Sequence, residues 1–122
     1  ILGTGGASKA VAYGLSQLNI SYHFVSRKPK NGQLTYNDLN TGLLKQYQIL
    51  VNCTPLGTHP EVEKAPPLPY QAIDRSHLLY DLIYNPEQTT FLKHGEEIGA
   101  RTKNGLEMLQ LQADASWELW NR

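Results

Sequence analysis

Apolar positions along this chain follow two rhythms. Between Ala7 and Leu18 they recur at three- and four-residue intervals, at Ala7, Ala10, Val11, Gly14, Leu15 and Leu18. That spacing predicts a helix with one packing face. Thr89–Ile98, stopped by Gly99, predicts another. Gly105–Trp120 predicts a long one, with Leu106, Leu109, Ala113, Trp117 and Trp120 on one face. Between the helices lie short runs rich in apolar, β-branched or aromatic residues: Ser21–Val25, Gln48–Asn52, Leu78–Ile83 and a brief Arg101–Lys103. These predict strands. Asn37–Lys45 predicts a modest helix, with Asn37 or Asp38 as its cap and Gly42 weakening it. Pro60–Pro69, with four prolines, predicts an irregular path, and Asn85-Pro86 ends the strand before it.

Strand and helix alternate, with connections of crossover length. The expected fold class is α/β: a Rossmann-like, doubly wound and mainly parallel sheet with helices on both faces. Residues 1–122 form one domain. The segments 3–8, 26–30, 52–57, 82–86 and 103–108 each follow a predicted strand, so they gather on one edge, where such sheets bind ligands. The first of them carries Gly3-Thr4-Gly5-Gly6 between Ile1-Leu2 and the first helix. A glycine turn admits positive φ and close approach, and the helix beyond it offers free N–H groups to a phosphate. Gly3 and Gly5 match the dinucleotide pattern Gly-x-Gly-x-x-Gly/Ala; Ser8 occupies its third place, and Ala10 offers a small residue for helix–sheet contact instead. On these residues alone, a plain turn fits as well.

Charge and composition narrow the functional classes. Eleven acids balance eleven bases, which leaves no field for nucleic acid or an anionic membrane surface. No apolar run reaches the length of a membrane span. The single Cys53 excludes an internal disulfide and fits a reducing, cytoplasmic compartment. His23, His59, His77 and His94 are scattered without metal or triad spacing, so no metal site is expected. The strand leading into Gly3 has only two residues, which implies that chain precedes Ile1 and that this is a piece of a longer protein.

The exit of the second predicted strand decides the cofactor. An NAD site places an acid there for the ribose 2′-hydroxyl. Here Ser26, Arg27, Lys28 and Lys30 stand instead. Guanidinium and ammonium groups attract a 2′-phosphate, so NADP is the expected cofactor. Asp81, inside an apolar strand, is expected to be structural, and Cys53 a small hydrophobe rather than a nucleophile.

The chain resembles the C-terminal, NADP-binding domain of shikimate dehydrogenase. The likeness rests on Gly3-Thr4-Gly5-Gly6-Ala7-Ser8-Lys9-Ala10, on Ser26-Arg27, on Val51-Asn52-Cys53-Thr54-Pro55-Leu56-Gly57, on Tyr80-Asp81-Leu82-Ile83-Tyr84-Asn85-Pro86, and on Asn104-Gly105-Leu106-Glu107-Met108-Leu109 with Gln112. The family reduces 3-dehydroshikimate to shikimate with NADPH. The resemblance implies that Gly3, Gly5, Gly6 and Ala7 line the pyrophosphate, and that Ser26 and Arg27, with Lys28, meet the 2′-phosphate. It implies that Thr54, Pro55 and Leu56 lie along the middle of the cofactor, and Leu82, Gly105 and Met108 near the nicotinamide. Tyr84 and Gln112 would face the substrate; Met108 and Gln112, four apart, share a helix face. The family's helix after its basic pair is interrupted here by Pro29 and Gly32. Its catalytic Lys and Asp belong to an N-terminal domain, with no counterpart in this chain, so no catalytic residue is expected here. Two rival readings are a quinate/shikimate dehydrogenase of broader specificity and a non-catalytic nucleotide-sensing module on the same fold.

Overall fold

The computed structural model describes residues 1–120, without the side chains of residues 112 and 116–120. Three strands, β1 (Ile49–Asn52), β2 (Leu78–Asp81) and β3 (Arg101–Lys103), pair in parallel in the order β1-β2-β3. On the far side of β1 the parallel pattern continues as single bridges, Asn52 to Leu2, Leu2 to Val25 and Val25 to Leu34. Backbone bonds carry it: Leu2 N donates to Val51 O at 2.8 Å, Gly3 N to Val25 O at 2.9 Å and Ser26 N to Leu34 O at 2.8 Å. Read across the sheet, the order is Leu34, Val25, Leu2, β1, β2, β3. From Leu2 in the middle the chain builds outward to Leu34, then returns past Leu2 and builds the other way. That is the expected doubly wound α/β fold, and its switch point lies between Leu2 and β1.

The strand predicted over Ser21–Val25 narrows to Val25. On one side it pairs with the segment Ile1–Gly3: Ile1 N donates to His23 O at 2.9 Å and Val25 N to Ile1 O at 2.8 Å. Leu34, which lies in no predicted element, is a sheet position. The β2 strand also stops at Asp81 rather than Ile83.

Among the described residues four α-helices accompany these positions: α1 (Gly6–Gln17), α2 (Thr41–Gln46), α3 (Thr90–Ile98) and, after β3, α4 (Leu106–Trp120). The buried face of α1 is not the predicted one. Ser8 and Ala12 are buried, with Val11 and Leu15 half-buried, while Ala7, Ala10, Gly14 and Leu18 are exposed. Ser8 can be buried because its hydroxyl donates to Gly5 O at 2.6 Å and is satisfied within its own turn. The exposed Ala10 is not packed in its place.

The helix predicted over Asn37–Lys45 divides. Asp38 is already committed to a tight turn over Tyr36–Asp38, where Thr35 N donates to its carboxylate at 2.8 Å. Asn40 then caps α2, accepting from Leu43 N at 2.9 Å. By contrast α3 follows expectation. Thr89 caps it, Gly99 ends it at φ 93°, and Phe91, Leu92 and Gly95 face the sheet. Leu2, Val25, Leu44, Leu50, Leu79 and Phe91 form the centre of one core.

The predicted apolar face of α4 is not buried. Leu106 and Leu109 are exposed, as is Ala113, and the side chains of Trp117 and Trp120 lie outside the described residues. The helix is instead seated at its start. Gly105 N donates to Ile83 O at 3.2 Å, and a Cβ on Gly105 would stand 1.9 Å from the Leu82 carbonyl oxygen. Backbone cannot step aside as a flexible side chain does. Gly105→Ala should therefore destabilise the fold by about 1–3 kcal/mol, read as a lowered urea midpoint; an unchanged midpoint would contradict this seating.

Candidate functional site

Past the carboxyl ends of Leu2, Val25 and β1 lies a cavity of about 630 Å³, within the range of small-molecule sites. Three turns wall it: Gly3, Thr4 and Gly5 before α1; Ser26, Arg27 and Lys28 after Val25; and Cys53, Thr54, Pro55 and Leu56 after β1, with Tyr36 as a further wall. Eight of the residues expected to hold a cofactor, Gly3, Gly5, Ser26, Arg27, Lys28, Thr54, Pro55 and Leu56, are thereby brought to one space. A smaller hollow of about 290 Å³, lined by Ile1, Leu15, Ile20, Tyr47 and Ile49 among others, is mostly apolar. It lacks a basic turn and a glycine turn.

Each wall has a local cause. Gly3 adopts φ +103°, and a Cβ there would lie 3.2 Å from Thr54 Cγ2 and 3.3 Å from the Cys53 carbonyl. The first and third walls thus approach backbone to backbone, which only glycine permits. Gly5 is the N-cap of α1 without a side-chain cap, and the first turn holds no acid. Its N–H groups remain available to an anion, as at phosphate-binding helix starts. Gly6 and Ala7 open that turn and are exposed. In the second wall, Ser26 Oγ accepts from Lys28 N at 3.2 Å and Lys30 N donates to Gln33 Oε1 at 2.9 Å. Gly32 turns the chain at φ +83°. A loop, not a helix, follows the basic pair. Among the described residues Arg27 and Lys28 belong to no ion pair. An uncapped helix start and a free basic turn on one cavity fit the phosphates of a dinucleotide.

The third wall hangs on a buried polar cluster that sequence reasoning assembled only in part. Asp81, fully buried at the end of β2, accepts from Asn52 Nδ2 at 3.1 Å, Ile83 N at 3.0 Å and Thr89 Oγ1 at 2.7 Å. Asn52 in turn accepts from Thr54 N at 3.0 Å and Thr54 Oγ1 at 2.6 Å, and Leu56 N donates to Thr54 Oγ1 at 3.2 Å. The expectation that Asp81 is structural holds; Asn52 and Thr89 were missed. The spacing Asn52-x-Thr54 at a strand end, the pattern of a side chain bonding two residues on, is the signal that was there to find. Burial raises the Asp81 pKa, and the bonds from Thr89, Ile83 and Asn52 pull it partly back. Burial also pushes the Cys53 thiol up to about 11, so it stays protonated and is no nucleophile.

The remaining expected site residues lie outside the walls of this cavity. Leu82 and Gly105 touch each other. Met108 is half-buried on α4, and Tyr84 is exposed. Gln112 is on α4, but its side chain lies outside the described residues. No group of His, Cys, Asp and Glu among the described residues could hold a metal ion, and no helix is long and apolar enough to cross a membrane.

This is a Rossmann-type α/β domain with its cavity at the switch point. In sequence it is a relative of the shikimate dehydrogenases. The chain is 36% identical over 134 residues to the shikimate dehydrogenase (NADP(+)) of Methanococcus maripaludis, a match spanning 98% of this chain and 48% of that protein. The crystal structure of the Aquifex aeolicus shikimate dehydrogenase superposes with a TM-score of 0.81 at 28% identity, over 98% of this chain and 46% of that one. The Thermus thermophilus enzyme, solved in complex with NADP(H) and shikimate, gives 0.80 at 27% identity, over 98% and 47%. The chain spans about half the length of the curated relatives it matches. No protein-family model matches it.

Removing Asp81 tests the cluster. Asp81→Ala leaves Ile83 N and Thr89 Oγ1 without their acceptor and Asn52 Nδ2 with only its long 3.4 Å bond to Leu56 O, at about 1–3 kcal/mol for each stranded group; Asp81→Asn keeps an acceptor and costs less. The pH dependence has a defined sign. A folded pKa above the ordinary 3.8 means that stability is greatest below that value and falls as pH rises through the raised pKa. Urea unfolding at pH 4 and pH 7 should therefore show Asp81→Asn gaining on the wild type as pH rises. A gap that stays constant would contradict the assignment.

Proposed function

We propose that this chain is the NADP(H)-binding half of a shikimate dehydrogenase, an oxidoreductase that reduces 3-dehydroshikimate to shikimate. One observation carries the reading: a single cavity unites an uncapped glycine turn, an acid-free basic turn and the Thr54-Pro55-Leu56 turn. The relative from Thermus thermophilus was solved with NADP(H) and shikimate, which supports the same ligands here.

The bound nicotinamide supplies hydride chemistry, and the protein supplies position. On this reading Gly3, Gly5, Gly6 and Ala7 receive the pyrophosphate at the α1 N-terminus. Ser26, Arg27 and Lys28 meet the 2′-phosphate. Thr54, Pro55 and Leu56 run along the middle of the cofactor and keep water from it. Leu82, Gly105 and Met108 border the nicotinamide end, where the Gly105–Leu82 contact sets the level of α4. Tyr84 and Gln112 lend polar groups to the substrate. Proton transfer and most substrate binding fall to a second domain, which carries the catalytic Lys and Asp. The compartment is cytoplasmic.

Cofactor choice tests the reading. Titration calorimetry on the chain should give tighter binding of NADP+ than of NAD+. Arg27→Ala should remove most of that difference, because one charge-assisted contact contributes about 1.5–3 kcal/mol. Added salt should narrow the difference as well. Equal dissociation constants for the two nucleotides in the wild type would overturn the assignment.

A further inference from the structure

We propose that Tyr36 is the purine-bearing residue of this cavity, its ring carrying the adenine of a bound dinucleotide between the Arg27 turn and the Thr54-Pro55-Leu56 turn. The inference rests on the cofactor reading above and adds a residue that belongs to none of the chain's recognisable motifs.

Tyr36 lines the cavity together with Ser26, Arg27, Pro55 and Leu56. Its position follows from the fold. Leu34 is the sheet position beyond Val25, and Tyr36 comes two residues after it, at the same carboxyl edge as Ser26. The turn that presents it is closed on both sides. Thr35 N donates to Asp38 Oδ2 at 2.8 Å, and Asp38 N donates to Thr35 O at 3.1 Å. The ring is half-buried and packs against the hydrophobic core. A side chain already held this way loses little freedom when a ligand arrives.

The chemistry of the walls assigns the ligand part. Arg27 and Lys28 answer the charge of a phosphate; a purine is flat and uncharged, and it seeks aromatic, guanidinium or proline faces. Tyr36, Arg27 and Pro55 are such faces on one cavity. Burial raises the Tyr36 hydroxyl pKa while the Arg27 charge lowers it. The phenol is uncharged at neutral pH in any case, so it does not repel the phosphates beside the base. The two roles are separable: Arg27 tells NADP from NAD, and Tyr36 holds the base that both share.

Titration calorimetry on the full chain with NADP+, NAD+ and 2′,5′-ADP tests this, with melting temperatures recorded in parallel. Tyr36→Leu keeps apolar bulk against the core but removes the aromatic face. It should weaken all three ligands by about tenfold or more and leave the NADP+/NAD+ ratio unchanged. Tyr36→Phe, which keeps the face, should bind close to wild type. If Tyr36→Leu fails to fold, Tyr36→Met is read in the same way. Wild-type affinity in the folded Leu or Met variant overturns the proposal. So does loss of NADP+ binding alone, which would make Tyr36 a phosphate contact, or equal loss in the Phe variant, which would assign the hydroxyl. If the wild-type chain binds none of the three ligands, the cofactor reading itself fails and this inference with it. If the wild type binds and the Leu variant binds equally well, only the inference fails.

Discussion

The carboxylate of Asp81 is the group through which β1, β2 and α3 together hold the third wall of the cavity. It sits at the end of β2, yet its partners belong to three other places: Asn52 at the end of β1, Ile83 in the following turn and Thr89 at the cap of α3. Asn52 passes the constraint to Thr54, and Thr54 passes it to Leu56. The turn that forms one wall is therefore held from behind by side chains, not only by its own backbone. Thr89 connects this to the core, since the same hydroxyl that donates to Asp81 accepts from Leu92 N at 3.3 Å and starts the helix that buries Phe91.

A buried carboxylate is an expensive way to hold a loop. A hydrophobic plug would fill the space, but it could not accept from three donors approaching from different elements. Ile83 N and Thr89 Oγ1 would be stranded without it, and a stranded donor costs more than a satisfied one contributes. The cluster thus trades some stability at neutral pH for a single geometry of the 53–57 turn. That geometry also sets Gly3, whose φ of +103° brings it against Thr54 and the Cys53 carbonyl. A loose third wall would leave the glycine turn registered by its Gly3 N bond to Val25 O alone.

What the sequence disclosed follows from how local each signal is. Thr89 and Gly99 bound α3 by chemistry within a few residues of each other, and that helix was read correctly. The strands at Leu2, Val25 and Leu34 are single bridges, too short to leave a period; one was read as too long and one was missed. The α1 face was displaced because Ser8 counts as polar in a pattern, whereas its hydroxyl is satisfied by Gly5 O and it packs as a small residue. Asp38 looked like a helix cap and was instead drawn to Thr35. The cavity was legible where motifs carry it, in Gly3, Gly5, Arg27 and Thr54-Pro55-Leu56. Tyr36 and Asn52 come to it through the order of the sheet, which no spacing along the chain encodes.

The two ends of the proposed site are unequally built. At the phosphate end, three turns meet around one cavity and each is fixed by bonds within this chain. At the other end the Leu82–Gly105 contact and the bonds of Asn104 to Glu87 O and Leu106 N seat the start of α4, but Met108 is half-buried, and Tyr84 and the first leucines of α4 are exposed. An apolar helix face whose first leucines stand in water is costly, at about 25 cal/mol for each Å² left uncovered. On the proposed function that cost has a use. A dehydrogenase that closes a second domain over its substrate needs the cofactor anchored by one half and the reacting carbon reachable by the other. The anchoring groups must therefore be complete without the substrate domain, whereas Tyr84, Met108 and the start of α4 must stay open to it.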